Sequence, residues 1–179
     1  MALTVDQILG TKENQELFDL LSAELVRLLP DSVQEDRDLF HHTVATLPRG
    51  LRAMAGIYSF DASMTMDSLA WHFGNQNDPR DLQETLNGLR ELEMPDIAEM
   101  FEQMWNFMKP HMQALQDSDY GGKDFSDWLV DIGAEDFAKE KDRYIWDYCK
   151  KTGKFGLLES WAQYARKYPE RCTMIEAQS

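Results

Sequence analysis

Apolar side chains recur along this chain at helical spacing almost from end to end. Leu17, Phe18, Leu21, Leu25, Leu28 and Leu29 stripe one face of a segment that Pro30 must end, because proline lacks the N–H that a helix needs. Leu39, Phe40, Val44 and Leu47 mark a second helix, closed by Pro48. The stretch RGLRAMAGIYSF reads as a third, and SLAWHF as a short one ending at Gly74. In NQNDPRDLQETLNGLREL, Asp78 is the expected N-cap and Pro79 the first helical residue, with Leu82, Leu86 and Leu89 on the buried side. Pro95 opens the strongest stripe, which runs through Ile97, Met100, Phe101, Met104, Trp105 and Met108. After the DSDYGG loop come an acidic segment and a helix near 135–151 bearing Tyr144, Ile145 and Tyr148. Another follows near 155–168 with Leu158, Trp161, Ala162 and Ala165. No β-branched run alternates for a useful length. The expectation is an all-α fold: one compact domain spanning residues 1–179, with seven to nine helices.

Composition supports a packed globule. The chain has 179 residues, is 43% hydrophobic, and carries 20 Phe, Tyr and Trp side chains, too many for a disordered acidic tail. Charge then narrows the function. The net value is −14, unevenly spread: residues 1–140 carry 27 acids against 10 bases, and residues 141–179 carry 5 against 8. Such a surface repels phosphates, so direct nucleic-acid binding is not expected, whereas a basic protein partner is. The start, MALTVDQILG, lacks the basic and apolar regions of a secretory signal, and no apolar run is long enough to span a membrane. Two cysteines, Cys149 and Cys172, give neither a disulfide framework nor a zinc-ligand spacing. These features point to a cytoplasmic, reducing setting.

Catalytic and cofactor patterns are sparse. His41 and His42 are adjacent, so on a helix they point about 100° apart. His72 and His111 stand outside the HExxH and ExxH spacings that bring two ligands to one helical face. No GxSxG elbow or phosphate-binding GxxxxGK[ST] loop occurs. No metal, no cofactor and no catalytic residue is expected. If the protein were instead a helical enzyme or small-molecule binder, its pocket would be sought near Trp71, His72 and Trp105.

The stretch DYGGKDFSDWLVDIGAEDF, residues 119–137, is crowded with carboxylates and holds a single lysine. On a helix, Asp124, Asp127 and Asp131 fall at i, i+3 and i+7, on one face, while Phe125, Trp128, Leu129 and Ile132 form an adjoining apolar stripe. Neighbours three or four apart on a helix have Cβ atoms roughly 5–6 Å apart. DNA presents a phosphate every ~3.4 Å of axis per strand, so a carboxylate ridge is a plausible stand-in for a short phosphate row. Asp124, Asp127 and Asp131, with Asp117, Asp119 and Glu135 nearby, are therefore the first candidates for a partner-binding surface. Asp31, Glu35 and Asp38 form a rival ridge at i, i+4 and i+7, ranked second because Arg37 interrupts it.

Residues 47–107 carry a resemblance. Leu47-Pro48, Tyr58, Asp61-Ala62, Phe73 with Asn75, and Leu89-Arg90-Glu91 follow one another as in a family of small acidic bacterial helical proteins typified by a DNA mimic. The family's Asn-Gly-Gly-Phe segment reads Met66-Asp67-Ser68-Leu69 here. The resemblance implies an all-helical fold, a capacity to dimerise, and an acidic surface that occupies the DNA-binding face of a transcription regulator. Three functions are carried forward. The first is a non-enzymatic acidic protein that binds a basic, DNA-binding protein and competes with nucleic acid. The second is an immunity protein that neutralises a basic nuclease toxin. The third is the helical enzyme or small-molecule binder.

Overall fold

In a computed structural model, which describes residues 2–116, 122–152, 157 and 159–174, the chain is helical and no strand occurs among the described residues. The elements are α1 (Val5–Gly10), α2 (Asn14–Leu28), α3 (Asp31–Gln34), α4 (Arg37–Thr46), α5 (Arg49–Met66), α6 (Leu69–Asn75), α7 (Pro79–Glu91), α8 (Pro95–Met108), α9 (Met112–Gln116), α10 (Gly122–Asp131), α11 (Ala134–Thr152) and α12 (Glu159–Lys167). Short 3-10 turns at Lys109–His111 and Pro169–Arg171 complete them. The all-α expectation holds. Nine of these helices have seven or more residues, and the additional α1, α3 and α9 are too short to show a periodic stripe. None is long and apolar enough to cross a membrane.

Helix boundaries follow local chemistry. The Asp78 side chain accepts from Arg80 N at 2.8 Å and Pro79 opens α7, as the sequence predicts. Where the family pattern has Asn-Gly-Gly-Phe, Asp67 ends α5 and Ser68 caps α6 by accepting from Trp71 N. The next amide, Leu69 N, donates to the Asp142 carboxylate from α11 at 2.8 Å. Side-chain acceptors thus do the capping in a turn that contains no glycine.

The centre is the antiparallel pair α5 and α7. Gly56 and Gly88 let the two backbones touch, since a Cβ on Gly56 would lie 2.6 Å from Glu84 O and one on Gly88 2.6 Å from Ala53 O. Thr85 Oγ1 seals the contact by donating to Gly56 O at 2.8 Å. Around this pair a continuous core runs from Leu3 to Cys172. Within it Phe101 meets Phe60 edge-on and Phe73 at a tilt, with centroids 5.2 and 5.0 Å away.

Candidate functional site

The acidic segment folds as the sequence predicts. Asp124, Asp127 and Asp131 lie on α10 and are exposed, while Phe125 and Leu129 are buried and Trp128 and Ile132 half-buried. Phe125 fixes the helix: its ring meets Trp71 edge-on at 4.8 Å and presses on the bare Cα of Gly74, where even a methyl group would collide with it. Trp128 adds contacts to Phe125 and His111 at 5.8 and 6.2 Å. The three carboxylates are thus carried on a helix whose adjoining apolar face is packed against α6.

No ion pair reaches Asp124, Asp127 or Asp131 among the described residues. On α11, Lys141 lies 3.8 Å from the Phe137 ring centroid and donates to Phe137 O. Glu135 opens α11 half-buried, and its carboxyl is pushed upward by burial and then by the charge of Asp142. The same helix exposes Asp136 and Glu140, which extend the acidic character and were not singled out from the sequence. Their i, i+4 spacing was a usable signal. Asp117 and Asp119 lie outside the described residues.

The rival ridge does not form as expected. Asp31 belongs to α3, Glu35 follows that helix, and Asp38 belongs to α4, so no single helix aligns them. The break is a capping event: the Asp36 side chain accepts from Leu39 N at 3.0 Å and starts α4 afresh. Asp38 is also paired, at 2.6 Å from Arg80.

That pair belongs to a compact ionic cluster. Arg37 bonds both Asp78, at 3.1 Å, and Asp81, and Arg80 reaches Asp78 at 2.8 Å. The Arg80 hydrogen bond, with help from Arg37, holds the Asp78 carboxyl far below the usual carboxylate range. His41 Nε2 lies 3.3 Å from Asp81 and 3.9 Å from Asp78. These three groups converge closely enough to hold a metal ion, a juxtaposition that sequence spacing did not reveal. The Arg37 guanidinium already satisfies both carboxylates, so a cation could enter only by displacing it.

A second cluster uses the basic C-terminal residues. Arg49 and Arg171 both engage Glu91, which also accepts from Tyr164, and Lys167 pairs with Glu93 at 2.7 Å. The uneven charge distribution of the sequence therefore becomes local pairing at the end of α7.

Of Trp71, His72 and Trp105, His72 is closed to solvent and opens onto no pocket. His72 is fully buried among Phe60, Phe73 and Phe101, and burial pushes its imidazole down to about 3. Its Nδ1 pairs with Ser63 Oγ at 3.0 Å. Trp71 rests on Phe125. A well-formed cleft lies elsewhere and is lined by none of the three. Burial also lifts the thiols of Cys149 and Cys172 to about 11 and 12, which keeps both protonated and poorly nucleophilic.

Fold and surface together define a class: an acidic, all-helical protein with an exposed carboxylate row, free of ion pairs among the described residues, on an anchored helix. The chain belongs to the family described as DMP19-like protein, whose model matches residues 45–168. That match extends well past the shorter resemblance and takes in α10, so the acidic segment lies within the family region. No curated protein and no solved structure matches the chain. The motif residues have structural work to do: Asp61 accepts from Leu157 N at 2.8 Å, Phe73 and Leu89 are core, and Glu91 is the hub of the C-terminal cluster.

Proposed function

We propose that this protein is a non-enzymatic, cytoplasmic acidic protein that binds a basic DNA-binding protein and competes with nucleic acid for it. The observation that carries this reading is the exposed row Asp124, Asp127 and Asp131, without ion pairs among the described residues, on a helix anchored by Phe125. A fixed row of like charge lowers the ordering cost of binding and steers a cationic partner. Steering is screened beyond a Debye length of roughly 10 Å at 0.1 M salt, so association should slow as salt rises. Family membership supports the reading through the resemblance to a DNA mimic.

The test is capture of partners from source-cell lysate on the wild-type chain and on a D124N/D127N/D131N variant, with elution by salt and by duplex DNA. A basic DNA-binding protein that the variant fails to retain, and that duplex DNA releases, is the expected result. Equal retention by the variant would remove α10 as the binding face. A captured nuclease would instead assign the immunity role.

A further inference from the structure

Helices α2, α3, α4, α5, α7 and α12 line a cleft of about 540 Å³. Its walls are chiefly apolar and aromatic: Phe18, Phe40 and Trp161 line it, with Val26 and Tyr58 at 67% and 59% exposure. The Trp161 ring lies 5.5 Å from Phe18 and 6.5 Å from Tyr58, centroid to centroid. This size falls within the roughly 300–1,000 Å³ range of small-molecule sites.

Two buried polar atoms on residues of the lining have no hydrogen-bond partner among the described residues. Trp161 is fully buried, yet its indole Nε1 is unpaired, and the buried Ser22 Oγ is unpaired as well. An indole N–H can only donate, and buried tryptophans ordinarily find an acceptor. The charges at the cleft are, by contrast, satisfied within the protein. Arg37 is held by Asp78 and Asp81, and Glu84 by Arg52 at 2.5 Å. The unmet demand is therefore for a hydrogen-bond acceptor and for apolar contact, with no demand for charge.

We propose that this cleft binds a neutral small molecule with a flat aromatic or aliphatic body and a hydrogen-bond acceptor, such as a carbonyl oxygen, that takes the Trp161 N–H and the Ser22 hydroxyl. The site shares no residue with the α10 row, so it goes beyond the partner-binding function. A ligand here would also contact α4 and α7, which carry the Arg37–Asp78–Asp81 cluster.

The probe is prodan, a neutral naphthalene ketone whose emission moves to the blue on leaving water. The full-length chain should bind it saturably and one-to-one. Two variants test the site. Val26→Trp puts bulk at an exposed position on the mouth, where folding is not at stake, and should abolish saturable binding. Trp161→Phe keeps an aromatic wall but removes the donor, and should weaken binding by about tenfold. Far-UV circular dichroism confirms folding of each, and Val26→Trp alone decides the matter if Trp161→Phe does not fold. Absence of saturable prodan binding, or equal affinity in the wild type and Val26→Trp, overturns the proposal. Equal affinity in a folded Trp161→Phe overturns the acceptor assignment. Both variants leave Asp124, Asp127 and Asp131 intact, so partner capture reads the two sites separately.

Discussion

The ionic cluster of α4 and α7 and the carboxylate row of α10 use the same side chain for opposite ends. Asp78 caps a helix, accepts from Arg37 and Arg80, and is titrated down accordingly. Asp124, Asp127 and Asp131 face water with no ion pair among the described residues. The first set fastens segments about forty positions apart in sequence, and the second makes no such link among the described residues. The paired carboxylates bind cations from their own and from distant elements, whereas the exposed row would supply the field that a partner meets. Asp61 is a third case, buried and bonded to Leu157 N without a cation.

The comparison can be broken most forcefully at the anchor of the row. Phe125→Ala removes the ring seated on Gly74 and should cost about 3 kcal/mol in urea unfolding. Amides of α10 should then exchange sooner than those of α5. A loss below ~1 kcal/mol would mean that α10 is held by other contacts.

Asp78→Ala attacks the paired set. It deletes a cap and strips Arg37 and Arg80 of their shared partner, so a loss of about 2 kcal/mol is expected, without change in partner affinity. A variant as stable as the wild type would reduce the cluster to surface decoration.

Asp61 sharpens the contrast through pH. Burial lifts its carboxyl to about 6, whereas an unfolded aspartate titrates near ~4. Between these values the folded chain holds a proton that the unfolded chain has lost, so stability from this group falls as pH rises and the full cost is present above about 6. Asn keeps an acceptor for Leu157 N without the charge. Relative to wild type, Asp61→Asn should therefore gain about 1–2 kcal/mol on going from roughly pH 4 to pH 7.5. His72 works in the other direction, because its folded imidazole resists protonation down to about 3, but it is common to both proteins and cancels. An unchanged difference across that range would place Asp61 at an ordinary carboxylate value.

The smallest stability effect belongs to the row itself. D124N/D127N/D131N breaks no ion pair among the described residues, so unfolding should move by no more than ~0.5 kcal/mol while partner binding is lost. A large stability loss would show that the row helps to hold the fold.

The sequence by itself determined the longer helices, because each rests on nearby residues: the Ile97–Met108 stripe, the Asp78-Pro79 start, the proline after α2. It also determined that Asp124, Asp127 and Asp131 share a face, since spacing on one helix settles that. The Asp31, Glu35 and Asp38 ridge failed because a local cap at Asp36 competed with an assumed continuous helix. Tertiary structure alone decided which carboxylates would be neutralised, for Arg37 meets Asp78 and Arg171 meets Glu91 only after distant segments pack. It likewise decided that His72 would be a core residue and that six helices would line the cleft beside Trp161. Helical periodicity reports the face a residue occupies, and only packing reports what lies opposite that face.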